Sequence, residues 1–183
     1  MTLAQIMYLA LRQLDEDPAD VSEYDDTFKS YVNEGYRILM YEYYKPREDV
    51  DFVTDETGRF SIDRKKIIRI VELKDDQGRD VKFDLAANGT SICTELLQKE
   101  LHAVAEVYAE LLKDSLDEPK FPEFAHSCLA DYICYRHLSA GNIAKQQKAQ
   151  FYVQRFRDTA RSIRPEWMGS TTQFKGLYAA TSI

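Results

Sequence analysis

The hydrophobic period changes twice along this chain, and this change limits the folds that the chain can adopt. Apolar residues recur at helical spacing from residue 2 to 44 and again from 122 to 164. Between 51 and 111 they instead alternate with polar residues, or form short β-branched runs bounded by turn sequences. The 183 residues suffice for one domain of ordinary size. The sequence therefore predicts an α+β fold that is mainly α: a helical bundle of about four helices with a small antiparallel β-sheet inserted at 51–111.

Each predicted helix combines an apolar stripe with a start or stop signal. Thr2 and Gln5 have the spacing of a capping box, in which each side chain satisfies a first-turn amide. Pro46 ends the second helix, Pro122 suits the first turn of the third, and Asn142 caps the fourth. The helices are expected at 2–14, 25–44, 122–140 and 142–164.

The inserted region divides into short strands. A turn cluster between Phe52-Val53 and Phe60–Ile62 predicts a hairpin. Val81–Leu85 alternates strictly, and Asn88-Gly89 predicts a tight turn before a returning strand at Ser91–Thr94. The region is therefore expected to form an antiparallel sheet.

Residues 101–111 fit two kinds of structure. Their odd positions are all apolar, which is the pattern of a strand, whereas their alanines and glutamates favour a helix. We interpret the segment as a strand. The part of the β region from roughly Asp51 to Thr94 is expected to pack on the helices, because about 45 residues is close to the lower limit for independent folding. Residues 1–165 are thus predicted to be a single domain, and 166–183 a C-terminal tail.

The tail carries more large apolar residues than a solvated segment usually does. Burying such a side chain is worth roughly 1.5–3 kcal/mol, but ordering the backbone costs about 1–2 kcal/mol per residue. The balance favours order only when the tail adds to a partner's strand edge or fills its groove. We therefore expect the tail to order against a neighbouring protein.

Charge is distributed unevenly along the chain. The net charge is −7, which argues against general nucleic-acid binding because phosphate neutralisation needs surplus Lys and Arg. Residues 140–183 nevertheless carry seven basic and two acidic side chains, a net +5, and the remainder carries −12. A basic C-terminal quarter fits a nucleic-acid contact, head-to-tail self-association, or a last helix docked on its own acidic body. The candidate interface residues are Arg155, Arg157, Arg161, Arg164, Trp167, Phe174, Leu177 and Tyr178.

No residue set has the pattern of a catalytic or metal site. His126, Cys134 and His137 fall on one predicted helix, but structural zinc sites usually draw paired ligands from two elements, and no second pair exists. Adjacent carboxylates lie in turns and caps, and no serine occupies a nucleophile-elbow sequence. No apolar run approaches the ~20 residues of a membrane span. We therefore predict no enzyme activity, no catalytic residue, no cofactor, no metal, no small-molecule substrate and no membrane contact.

Four segments follow patterns that belong together in one protein family. Thr2–Leu14 reads Thr-Leu-x-x-Ile-x-x-x-Ala-Leu-x-x-Leu, and Tyr31–Arg37 reads Tyr-x-Asn-Glu-Gly-Tyr-Arg. Residues 117–132 read Asp-Glu-Pro-x-x-Pro-x-x-x-His and lead into Leu-Ala-Asp-Tyr, and 145–156 is rich in Lys and Gln before Tyr-x-x-x-Phe. Over most of residues 1–165 the chain thus resembles the head–tail connector (adaptor, or neck) proteins of tailed bacteriophages.

The resemblance implies a structural protein of a phage or prophage. It implies a helical bundle with an inserted β region, assembled as a homo-oligomeric ring below the portal protein. The ring would join the DNA-filled head to the tail or to a head-completion protein, and DNA would pass through it without specific binding. The expected location is the virion, and the bacterial cytoplasm during assembly. Two alternatives remain: a DNA-binding accessory protein that uses the basic C-terminal helix, and a phage hydrolase.

Overall fold

The chain forms two compact units, one helical and one built of strands. A computed structural model describes residues 1–17, 21–87 and 89–165. The helical unit contains Met1–Tyr44 and the chain from Ala109 onward, and the β unit contains Lys45–Tyr108. The predicted α+β class, mainly α, is confirmed. The prediction that residues 1–165 form a single domain stays a prediction.

Among the described residues, the helical unit contains four α-helices, one π-helical segment and one 3-10 turn. Helix α2 continues into a π-helical segment, Leu39–Tyr44, and a 3-10 turn, Glu123–Ala125, precedes α3. The helices are α1 (Leu3–Leu14), α2 (Val21–Ile38), α3 (Cys128–Ser139) and α4 (Ile143–Ser162).

Two predicted helix starts are wrong. Helix α2 begins at Val21 rather than 25, so that Tyr24 is helical and stacks on Phe28 one turn later, with ring centroids 5.0 Å apart. Helix α3 begins at Cys128 rather than 122, because the His126 ring bonds the Phe121 carbonyl at 2.7 Å and holds the preceding segment in a tighter turn. The predicted capping box at Thr2 is present.

Helix α2 supplies the centre of the helical core. Phe28, Val32, Tyr36 and Leu39 recur at helical spacing and are fully buried. Gly35 lies on the same helix where a Cβ would meet the Tyr132 ring at 2.9 Å. Only glycine therefore lets α2 and α3 approach this closely.

The chain that returns from the β unit is fixed to α2 by side chains. The amide of Asn33 donates to the Leu112 carbonyl and its oxygen accepts from the Leu112 N–H, both at 2.9 Å. Farther along, the Lys120 N–H donates to the buried Tyr36 hydroxyl at 3.2 Å. The segment after Leu112 thus gains backbone partners although it forms no helix or strand.

The same returning segment completes the start of α1. The Leu3 and Ala4 amides donate to the carbonyls of Asp117 and Ser115, at 2.8 and 3.0 Å. The Asp117 carboxylate accepts from the amides of Asp114 and Lys113, which lowers its pKa. First-turn amides that have no partner within a helix are satisfied here by the loop.

In its described residues, the β unit forms two three-stranded antiparallel sheets. Their strand orders are β1-β6-β3 and β2-β5-β4. The strands are β1 (Arg47–Val53), β2 (Arg59–Ser61), β3 (Ile67–Asp75), β4 (Phe83–Leu85), β5 (Ser91–Thr94) and β6 (Glu100–Val107).

Two strand predictions are confirmed and one pairing is wrong. Strand β5 returns on β4, and the ambiguous segment 101–111 is a strand as far as Val107. The expected hairpin between β1 and β2 does not form, since β1 pairs with β6 and β2 with β5. The Asp55 carboxylate caps the turn between them. Phe52 and Phe60 then meet as stacked rings 4.4 Å apart instead of sharing a ladder.

The Asn33–Leu112 bonds generate the first testable prediction. In Asn33→Asp the carboxylate loses the donor to Leu112 and faces the Leu112 carbonyl, so the free energy of unfolding should fall by about 1–3 kcal/mol. Asn142→Asp is the matched control, because Asp serves equally well at the N-cap of α4. Urea unfolding should find the control within about 0.5 kcal/mol of the original chain. Equal losses in both variants would contradict the role of Asn33.

Candidate contact surface on the last helix

Helix α4 is anchored at its start and buried along a narrow stripe. The Asn142 side chain accepts from the Lys145 amide at 3.0 Å, which sets the first turn. The rest of the helix packs by one side only. Its buried residues are Ala149, Tyr152, Val153, Phe156 and Ala160.

The opposite side of α4 exposes two large apolar side chains. Ile143 is 75% exposed and Phe151 is 60% exposed. They lie eight residues apart and therefore share one face. Phe151 also lies under the Arg155 guanidinium, 5.5 Å from the ring centroid. The surrounding exposed side chains are polar but uncharged at Gln146, Gln147, Gln150 and Gln154.

Two of the four candidate arginines in this region form ion pairs. Arg155 approaches Asp131 on α3 at 3.4 Å, and Arg161 pairs with Asp158 at 3.1 Å. Arg157 and Arg164 are exposed and form no ion pair within the described ranges. The other predicted interface residues, Trp167, Phe174, Leu177 and Tyr178, lie outside the described residues. Helix α4 therefore exposes arginines together with Ile143 and Phe151, and one of them, Arg155, contacts the Phe151 ring.

Asp131 is a buried carboxylate that links three helices. Its side chain is 4% exposed, and the pair with Arg155 has no hydrogen-bond geometry at Oδ1. Burial raises its pKa to about 6, against the opposing effects of Arg155 and of a hydrogen bond from the Gln13 side chain. Gln13 also accepts from the Cys134 thiol at 3.3 Å, and its carbonyl accepts from the Tyr152 hydroxyl at 2.9 Å. This cluster ties α1, α3 and α4 together.

The carboxyl group of Asp131 and the thiols of the two helical-unit cysteines are closed off from solvent. A general acid must reach its substrate, and Asp131 lies in the helical core. Burial raises the thiol pKa of Cys128 and of Cys134 to about 12, so both remain protonated and unreactive near neutral pH. The His137 ring packs edge-on against Tyr24 and Phe28.

The three zinc-type residues are not brought together as a ligand set. His126 bonds Phe121 and the Met1 amino group, and Cys134 bonds Gln13. Within the described parts of the chain no three His, Cys, Asp or Glu side chains are placed to hold a metal ion.

The sequence missed two features of this surface. The exposure of Phe151 could have been found from a helical wheel, since it lies off the stripe that contains Tyr152 and Phe156. The burial of Asp131 has no such signal, because its position on α3 becomes internal only when α1 and α4 pack on either side.

Comparison with known proteins assigns no family. The chain matches no family model and no curated protein. In the part of the chain that the structure describes, no helix combines the length and apolar character needed to cross a bilayer.

The buried Asp131 generates a pH-dependent prediction. Its carboxyl pKa rises from 3.8 to about 6 on folding, so between these values the folded chain binds more protons. The stability that comes from keeping Asp131 protonated in the folded chain is therefore fully present below pH 3.8. It is lost as the pH rises through 6, where the buried carboxyl group ionises. Asp131→Asn removes this loss, so the variant should gain about 2 kcal/mol relative to the original chain between pH 4 and pH 7.

Urea unfolding at several pH values measures this difference. Arg155→Gln removes the cation that opposes the shift, so the pH dependence should move to higher pH in that variant. A stability difference between Asp131→Asn and the original chain that stays constant with pH would contradict the burial of an ionisable Asp131.

Proposed function

We propose that this protein is a head–tail connector of a tailed phage or prophage, which assembles as a ring below the portal and joins the head to the tail. The four sequence patterns support this class. The observation that supports assembly is the exposed face of α4, where Ile143 and Phe151 are exposed and Arg155 lies over the Phe151 ring, in a chain whose net charge is −7.

The packing of the pattern residues supports a structural role for them. Asn33 and Tyr36 bind the returning segment, and Gly35 permits the approach of Tyr132. Asp117 completes the start of α1. Residues that specify a scaffold, rather than a catalytic centre, are what a connector requires.

Opposite charge on two parts of one subunit favours a head-to-tail interface. A heterologous contact gives each subunit one donor and one acceptor surface, and repetition of it closes a ring when the rotation permits. The exposed face of α4 would be the cationic partner in that contact, with Ile143 and Phe151 as its apolar centre. The acidic remainder would supply the other partner.

An acidic ring also suits the passage of DNA. Like charge suppresses the counterion release that drives non-specific binding, so DNA could move through without adhering.

The DNA-binding alternative has less support. Arg155 and Arg161 are already paired with carboxylates, and exposed Ile143 and Phe151 suit a protein partner better than phosphate.

Native mass measurement tests the proposal. The full-length protein is measured alone and after mixing with the portal protein of the same phage. A ring of many copies on the portal is the expected result. A chain that stays monomeric with the portal, or that instead shows salt-dependent retention on DNA, would overturn it.

Reversing one charge on α4 should weaken this assembly. Arg157 is exposed and has no ion-pair partner among the described residues, so Arg157→Glu should leave the monomer folded and reduce ring formation at least tenfold. Lys65→Glu makes the same charge change at an exposed site on the β unit and is the control. Native mass and melting temperature are measured for both variants. Equal loss of assembly in the two would count against the α4 surface.

A further inference from the structure

Strand β1 lies at an edge of its sheet and has one side without a neighbour. In the sheet order β1-β6-β3, it pairs only with β6 among the described residues. The strand runs for seven residues, Arg47–Val53, in continuous register. An edge of this length can accept another strand.

The register determines which backbone groups of β1 face outward. The Thr54 amide donates to the Lys99 carbonyl, and the Val107 amide donates to the Pro46 carbonyl, so the even-numbered residues of this strand exchange bonds with β6. In an antiparallel pair the intervening residues point their N–H and C=O groups away. Asp49, Asp51 and Val53 therefore direct their backbone groups to the free edge.

The side chains at this edge define what could bind there. Glu48, Asp49 and Asp51 are exposed; Glu48 pairs with Lys66 at 3.0 Å and Asp51 with His102 at 2.6 Å. Asp49 has no ion pair among the described residues, so its carboxylate makes this part of the edge unfavourable for an acidic strand. On the inner face Val50 and Phe52 are half-buried, because no further strand covers them. A complementary strand would carry a cation on one face and a large apolar side chain on the other.

The C-terminal segment of the chain has this pattern. Residues 171–177 read Thr-Thr-Gln-Phe-Lys-Gly-Leu, and the segment from 167 to the last residue contains no Asp or Glu. Alternation would place Gln173 and Lys175 on one face and Phe174 on the other. Lys175 could then lie beside Asp49 while Phe174 extends the inner apolar row.

We propose that β1 of one subunit accepts residues 171–177 of a neighbouring copy as an added strand. This inference rests on the proposed ring, in which each subunit would give one segment and receive one. The backbone bonds of Asp49, Asp51 and Val53 supply affinity, and the acidic edge with its apolar inner face supplies selectivity.

Cross-linking between two variants tests the strand addition. Cys93, which is half-exposed, is first changed to Ser in the full-length chain; Cys128 and Cys134 are buried and stay. Asp49→Cys subunits are then mixed with subunits that carry Gln173→Cys, Phe174→Cys or Lys175→Cys, in the presence of the portal protein. Mild oxidation should give disulfide-linked dimers with Cys at 173 or 175 at least fivefold more often than at 174, since only alternate residues face Asp49.

The outcomes separate this inference from the proposed function. Equal yields at the three tail positions, a preference for 174, or no dimer would overturn the strand addition, even where native mass shows a ring. A chain carrying Asp49→Cys and Lys175→Cys together that links only within itself would also overturn it. Dimers with the alternating pattern but no ring would support the strand addition and overturn the connector ring.

Discussion

The paired hydrogen bonds between Asn33 and Leu112 are the contact on which the helical unit depends. The β unit, Lys45–Tyr108, is inserted within the helical unit. The chain after Tyr108 must therefore pack again on α2. Asn33 binds both backbone groups of Leu112, and Tyr36 binds the Lys120 amide farther on. The segment fixed in this way then satisfies the first amides of α1 and leads into α3. A side-chain amide thus satisfies backbone hydrogen-bonding groups that a neighbouring strand or helix usually satisfies.

The helical unit has charged groups both in its core and on its surface. Asp131 is buried where three helices meet, and its half-exposed partner Arg155 lies at the boundary of the core. That pair holds α4 in place at the cost of a desolvated carboxylate. Farther out, Arg157 on α4 and Arg164 just after its end face solvent. One helix therefore contributes to the core by one side and remains available to a partner by the other.

Charged side chains lie both within the first sheet of the β unit and along its edge. Glu106 is buried at the outer side of β6, where Arg69 binds it with two hydrogen bonds of 2.7 and 2.8 Å. On the edge strand β1 the side chains of Glu48, Asp49 and Asp51 are exposed, and Glu48 and Asp51 pair with Lys66 and His102. Acidic side chains on an edge discourage indiscriminate strand pairing and leave room for a selected partner.

The sequence alone determined the elements that local spacing and capping define. These are the starts of α1 and α4 with their caps at Thr2 and Asn142, the inserted strands, and the β4–β5 pairing across a tight turn. Tertiary structure decided the rest. Strand β1 pairs with β6, some fifty residues away, and Phe52 stacks on Phe60 of the other sheet through side chains instead of forming a hairpin ladder with it. Burial of Asp131 and exposure of Phe151 depend on which sides of α3 and α4 meet their neighbours, and no pattern within one helix specifies that choice.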